Sequence, residues 1–313
     1  MLPETPSIPD APSAPVRLEN GTMEAEILPG MGAKIWSLRD KRTGTQWIWH
    51  NPSVPPRLLP PGSPYDDNWA GGWEELFPND APGEFDGRSL PDHGEWWSRA
   101  WETRREGGAW AFRHESGLTR TACVKRVSLH PSEPVLTVGY EIRNLDAKAL
   151  RFLFKQHLAV AATPSHVIEL PGGTAVPVDL SFSTRIGSPG PFRWPDAAGP
   201  GGRSVDLSRL PEPAERHREF VYVKDLPEGW CGVRDTRTGE TLRMTFSTDV
   251  FPYVWLFMSF GGWRGLYTVV LEPCTNIPKH LPEAVRSGRC AELAGGGVLR
   301  CEVRVSLGGA EAS

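Results

Sequence analysis

Three separated stretches of the chain carry polar residues able to move protons. The first, residues 71–101 (GGWEELFPNDAPGEFDGRSLPDHGEWWSRAW), mixes turn formers, carboxylates and tryptophans, with His93 beside Gly94. A sugar site needs an aromatic platform for the C–H face and polar groups for the hydroxyl edge. Trp73, Trp96, Trp97 or Trp101 could supply that platform; the plain alternative makes them core residues and His93 an ordinary surface histidine. In the second stretch, residues 151–160 (RFLFKQHLAV), Phe152, Phe154, Leu158 and Val160 share one strand face with Gln156. His157 then points to the opposite face with Lys155 and Leu153, either as a proton carrier or as a structural histidine of a second layer. The third stretch, residues 266–278 (LYTVVLEPCTNIP), sets Glu272 at the end of an apolar strand, where Pro273 is expected to stop the ladder. A carboxylate there is either solvated or held in a cleft with a raised pKa, and the raised pKa suits a general base working near neutrality.

Other chemistries lack their residues. The sequence has no GxxxxGK[ST] phosphate loop, no HExxH, no close cysteine pair with metal-ligand spacing and no GxSxG elbow. No glycine-rich dinucleotide turn follows a strand and opens a helix. The five cysteines (Cys123, Cys231, Cys274, Cys290, Cys301) are odd in number and widely spaced, and read as reduced thiols of a cytoplasmic protein. A net charge of −4 argues against a nucleic-acid surface. No apolar run approaches the roughly 20 residues of a membrane span. The opening MLPETPSIPDAPSAP lacks the basic start and apolar stretch of a secretory signal.

The elements that must position these groups are strands. Met23, Ala25 and Ile27 alternate with Glu24 and Glu26, and Leu136, Val138, Tyr140 and Ile142 alternate with Thr137, Gly139, Glu141 and Arg143. Leu242, Met244 and Phe246 repeat the pattern, as do Leu299, Cys301, Val303, Val305 and Leu307. Period two in so many segments marks half-buried strands. Turn chemistry falls between them at 41–44, 144–148 and 235–239. With 33 Gly and 31 Pro among 313 residues, long helices are excluded. The expectation is an all-β layered sheet or sandwich. A Pro-rich arm is expected at residues 1–15, one domain over 16–313, and a long irregular loop at 187–202.

Taken together and in order, the three stretches resemble the aldose 1-epimerase (galactose mutarotase-like) family, and most of all its branch of hexose-6-phosphate mutarotases. LENGTMEAEILPGMGAKIWSLRDKRTGTQWIW at 18–49 is similar to the family's opening strands. GGWEELFPN followed by LPDHGEWWSRAW resembles the branch's Gly-Gly turn, F-P element, His-Gly and Trp. QHLAV is similar to the strand of the second family histidine, and VVLEPCTNIP to the C-terminal Glu-Pro strand. The resemblance covers residues 16–307. It implies a β-supersandwich with few short helices that interconverts the α and β anomers of a monosaccharide, without metal or cofactor. Carried over, Glu272 is the general base on the C1 hydroxyl, His157 the general acid on the ring oxygen, and His93 holds and polarises the ring oxygen or its neighbours. Trp73, Glu74, Asn79, Trp97, Arg99 and Asp225 are the expected substrate contacts, in a monomer or homodimer.

The chain departs from the family in two places. The arginine of galactose mutarotases has no counterpart, Trp73, Glu74 and Glu75 standing in that stretch; those acids repel a sugar phosphate unless Arg99 or Arg88 offsets them. The downstream aspartate that grips a sugar hydroxyl is matched by either Asp225 or Asp235. Two further readings therefore stand beside the epimerase: a carbohydrate-binding protein without turnover, and a carbohydrate-cleaving enzyme pairing Glu272 with Glu74 or Glu75, whose carboxyls would lie about 5–9.5 Å apart.

Overall fold

The computed structural model describes residues 14–309, so the Pro-rich arm falls outside the described residues except for Ala14 and Pro15. The alternating segments form two large antiparallel sheets. The ten-stranded sheet runs, edge to edge, through Val16–Glu19, Met23–Leu28, Lys34–Asp40, Trp73–Leu76, Lys155–Val160, Tyr267–Cys274, Tyr253–Phe260, His217–Lys224, Thr174–Pro177 and Phe192–Arg193. The eight-stranded sheet runs through His166–Glu169, Trp230–Asp235, Thr241–Phe246, Val298–Gly308, Val135–Asn144, Thr121–Leu129, Ala109–Ser116 and Glu102–Glu106. Ile27, Ile35, Leu158, Leu256 and Leu271 of the first sheet share one core cluster with Val127, Val138, Leu242, Val303 and Val305 of the second. This is a β-sandwich whose inner faces exclude water. In Val298–Gly308, Val303, Val305 and Leu307 are buried while Glu302 and Arg304 are exposed, the pattern of a strand with one wet face.

The central strands of the ten-stranded sheet differ, because both of their faces are covered. Lys155–Val160 is buried along its whole length. On its outer side Ala159 joins Tyr65, Trp69, Leu76, Trp97 and Val270 in a second apolar layer. The α-helices are short, Tyr65–Asn68 and Leu281–Arg286, with 3-10 turns at Trp96–Ser98, Pro200–Gly202 and Pro213–Glu215. Among the described residues no helix is long and apolar enough to cross a membrane. All five cysteines are free thiols.

Two expectations are corrected. The strand bearing Glu272 does not stop at Pro273; it continues to Cys274 and keeps its register with Tyr253–Phe260 throughout. On its other side, pairing with Lys155–Val160 holds at Leu158–Val160 and again at Lys155 but lapses at Gln156 and His157, where Pro273 has no N–H to give. The proline thus perturbs one ladder without ending the strand. The segment 187–202 is also more ordered than expected: Phe192–Arg193 joins the ten-stranded sheet, and Asp196–Ala198 forms a hairpin with Ser204–Asp206.

Candidate active site

His93, His157 and Glu272 line one cavity of about 280 Å³ on the outer face of the ten-stranded sheet. Strand register puts two of them there. His157 stands opposite Glu74 and Gln156 opposite Glu75, so His157 and Glu74 share the outer face while Gln156 and Glu75 turn into the sandwich. Glu272 stands opposite Trp255 on the next strand. His93 arrives from a loop. Its φ of 58° and Gly94's of 73° are both left-handed, and a Cβ at residue 94 would sit 2.1 Å from the Phe77 carbonyl oxygen. Only glycine allows that close backbone pass.

The floor of the cavity is an ion-pair triad. Lys155 Nζ lies 2.5 Å from Asp80 Oδ2 and 2.5 Å from Glu272 Oε2, and 4.2 Å from the centroid of the Trp255 ring. Burial alone would push the Lys155 ammonium down, but Asp80 and Glu272 hold it up and charged. Burial likewise works against ionisation of Asp80, yet Lys155 and His93 keep it below the usual carboxylate range. For Glu272 burial wins: its pKa is raised, with Lys155 holding back part of the rise.

The two imidazoles have contrasting surroundings. His93 stacks on Tyr65 with ring centroids 3.9 Å apart, places Nδ1 2.8 Å from Asp92 Oδ1, and has Nε2 3.9 Å from Asp80 Oδ2. Burial disfavours its charge, but Asp80 and Asp92 outweigh that and raise its pKa. His157 has Nδ1 3.2 Å from the Tyr65 hydroxyl, which itself donates to Glu74 Oε1; Glu74 Oε2 lies 2.8 Å from Lys34 Nζ. Burial, then Lys155, His93 and Lys34, push His157 well below the ordinary histidine value.

The walls are aromatic. Trp69, Phe182, Phe220, Phe257 and Trp263 line the cavity, with Trp263 edge-on to Phe257 at 5.2 Å and 6.3 Å from Trp69. Asp66, Asp179 and Lys279 add polar groups to the lining. The pleat places Lys155 on the face of His157, so that residue was open to a period-two reading. Trp69, Asp80, Trp263 and Lys279 lie outside the sheet strands, where no periodicity marks them.

None of the six expected substrate contacts lines this cavity. Trp73 turns inward and donates from Nε1 to Gln156 Oε1 at 2.9 Å in the sandwich core. Trp96 and Trp101 belong to the same core. Glu74 lies behind the site, held by Tyr65 and Lys34. Asn79 spends its amide on the carbonyls of Ala81 and Pro91, at 3.0 and 2.7 Å, and so ties its loop together. Trp97 packs edge-on to Tyr65 at 5.0 Å and supports it from behind. The Arg99 side chain acts on Glu95 and His114, away from the cavity. Asp225 is exposed and pairs with Lys224 at 2.9 Å. Asp235, the other aspartate considered, caps its own turn by accepting from Arg237 N. Arg88 pairs with Asp86 on the surface. Glu75 faces the core and pairs with Lys125 at 2.7 Å, so neither Glu74 nor Glu75 forms a carboxylate pair with Glu272 across the cavity.

The two sheets make the galactose mutarotase-like β-sandwich fold. The chain is similar to a protein from Synechocystis (TM-score 0.70, 15% identity, 98% of each chain covered). It is also similar to a galactose mutarotase related enzyme from Lactobacillus acidophilus (TM-score 0.67, 12% identity, 94% of this chain and 97% of that one). A third likeness is to a galactose mutarotase-like protein from Lactobacillus casei (TM-score 0.61, 16% identity, 94% and 100% covered). No protein-family model and no curated protein matches the sequence.

Proposed function

We propose that the chain is an aldose 1-epimerase-like enzyme that interconverts the α and β anomers of a hexose or related monosaccharide. The observation that carries this reading is the convergence of Glu272, His157 and His93, from three distant stretches of sequence, on one aromatic-walled cavity. A cyclic hemiacetal opens when O1 loses a proton, the C1–O5 bond breaks and O5 gains a proton. Closure on the other face of C1 reverses each step. An acid and a base must therefore flank C1, each contributing on the order of 10²–10⁴ in rate. Glu272 is the base, its buried carboxyl raised above the ordinary carboxylate value while Lys155 beside it favours the ionised form. An imidazole serves O5, and the family resemblance assigns that role to His157.

The lining favours an unphosphorylated sugar. No arginine is among the cavity-lining residues. Lys155 is committed to Asp80 and Glu272, and the charge of Lys279 acts on Asp179 and Asp80. Trp69 and Trp263 are in the lining, and indole side chains are of the kind that pack against the C–H side of a pyranose. The test is anomer equilibration of fresh α-glucose and α-galactose, followed by polarimetry or NMR with the wild-type chain. Acceleration supports the reading. Sugar binding with an unchanged rate supports a carbohydrate-binding protein instead, and new reducing ends from an oligosaccharide would support cleavage.

A further inference from the structure

The two imidazoles of the cavity are wired in opposite senses. The Tyr65 hydroxyl has one proton, and it is given to Glu74, whose other oxygen meets the Lys34 ammonium at 2.8 Å. What Tyr65 turns toward His157 is therefore a lone pair. Across 3.2 Å that lone pair is satisfied if His157 carries its hydrogen on Nδ1; in a ring that burial and the nearby Lys155 and Lys34 keep neutral, this leaves Nε2 unprotonated as the nitrogen available to a ligand. His93 meets the reverse arrangement: Nδ1 faces the Asp92 carboxylate at 2.8 Å and Nε2 is 3.9 Å from that of Asp80. Nδ1 is within hydrogen-bond distance of Asp92, and the Asp80 carboxylate, too far from Nε2 for a hydrogen bond, adds a second negative charge beside the ring; both favour an imidazolium.

We infer that His93 donates the proton to the ring oxygen, and that Tyr65 is a positioning residue that fixes His157 as a hydrogen-bond acceptor toward the sugar. The catalytic half of this assignment rests on the epimerase reading; the protonation pattern stands without it. As Glu272 takes the O1 proton and the C1=O1 bond forms, the electron pair of the breaking C1–O5 bond takes the proton on His93 Nε2. Closure returns that proton to His93 and the Glu272 proton to O1. His157 Nε2 meanwhile accepts from a neighbouring hydroxyl and holds the ring in place.

The charged neighbours agree with this. Around His93 stand Asp66, Asp80, Asp92 and Glu272 against Lys155. Around His157 stand Lys155, Lys34 and a charged His93, with Glu74 the nearest carboxylate at 3.9 Å and already engaged by Tyr65 and Lys34. The same Tyr65 ring stacks on His93 and meets His157 edge-on at 5.6 Å, so one side chain sets both groups.

The test is long-range ¹H–¹⁵N correlation of the histidine rings in the full chain near pH 7, assigned with His93→Gln and His157→Gln. Expected are a neutral His157 with hydrogen on Nδ1 and a doubly protonated His93. A His157 with hydrogen on Nε2, or a neutral His93, overturns the inference whether or not any sugar is turned over. Tyr65→Phe keeps the stack and removes the hydroxyl. With thermal melting confirming that it folds, its His157 should shift toward the Nε2–H tautomer, and an unchanged tautomer would overturn the role of Tyr65. In an active enzyme, His93→Gln lowers kcat on the order of 10²–10⁴, while His157→Gln acts mainly on KM; the reverse split overturns the assignment. Absence of turnover with every sugar would count against the epimerase reading alone, leaving the ring protonation to be judged by the spectra.

Discussion

Lys155 Nζ stands 2.5 Å from Glu272 Oε2 at the floor of the cavity, both side chains almost wholly buried. The same ammonium serves Asp80, so one positive charge is shared between two carboxylates, and it is the main restraint on the rise that burial imposes on Glu272. Lys155→Met removes that restraint. Glu272 should then hold its proton to higher pH, and the acid limb of the anomerisation rate should move upward. Stability should fall by about 3–5 kcal/mol, the usual cost of leaving a buried charge unpaired. Denaturant unfolding and the pH–rate profile check both parts; an unmoved acid limb would contradict the role given to Lys155.

The wild-type rate should trace a bell. It rises as Glu272 loses its proton, above the ordinary value of 4.5, and falls as His93 loses its own above 6.5. Polarimetry across pH ~5 to ~9 measures it. A rate with no alkaline limb would speak against a protonated His93 in the reaction.

His114 gives a cleaner pH signal for stability. Burial, with Arg99 adding to it, holds His114 down to about 4, beneath Trp101 at 5.4 Å. A histidine held low takes up a proton on unfolding, so stability is lost as pH falls through 6.5 and the loss levels off below the folded value. Relative to His114→Gln, the wild type should lose stability between about pH 7 and pH 4. Parallel curves for the two proteins would contradict the assignment.

Glu75 and Lys125 form a second buried pair inside the sandwich, with Tyr140 donating to Glu75 at 2.6 Å. Breaking it through Lys125→Met should cost about 3–5 kcal/mol, while Lys125→Met with Glu75→Leu should cost clearly less. Chemical denaturation of the three proteins decides it. Equal losses would mean that the charge left unpaired is not what the single variant suffers from.

The sandwich was legible because alternation in Leu136–Arg143 and Leu299–Leu307 reports a one-sided face directly. The same pleat rule put His157 and Lys155 on the face away from Phe154 and Leu158, where the structure has them. It failed where the answer lay in the third dimension. Trp73 and Trp69 are both tryptophans near Gly-Gly, and only the register opposite Leu158 shows that Trp73 turns inward. Asn79, Trp97 and Arg99 stand near His93 in sequence, yet the loop's own carbonyls hold Asn79, the back of Tyr65 takes Trp97, and the Arg99 side chain acts on Glu95 and His114. Asp80, beside Asn79, reaches the cavity because Lys155 waits there, a contact between residues 75 positions apart that no local pattern records.

The most direct measurement is anomer equilibration of an accepted α-sugar by wild type and Glu272→Gln, in protein shown to fold and bind the sugar equally. Glutamine keeps the shape and removes the base, so the account predicts a fall on the order of 10²–10⁴, toward the spontaneous rate. A variant as fast as wild type would contradict it.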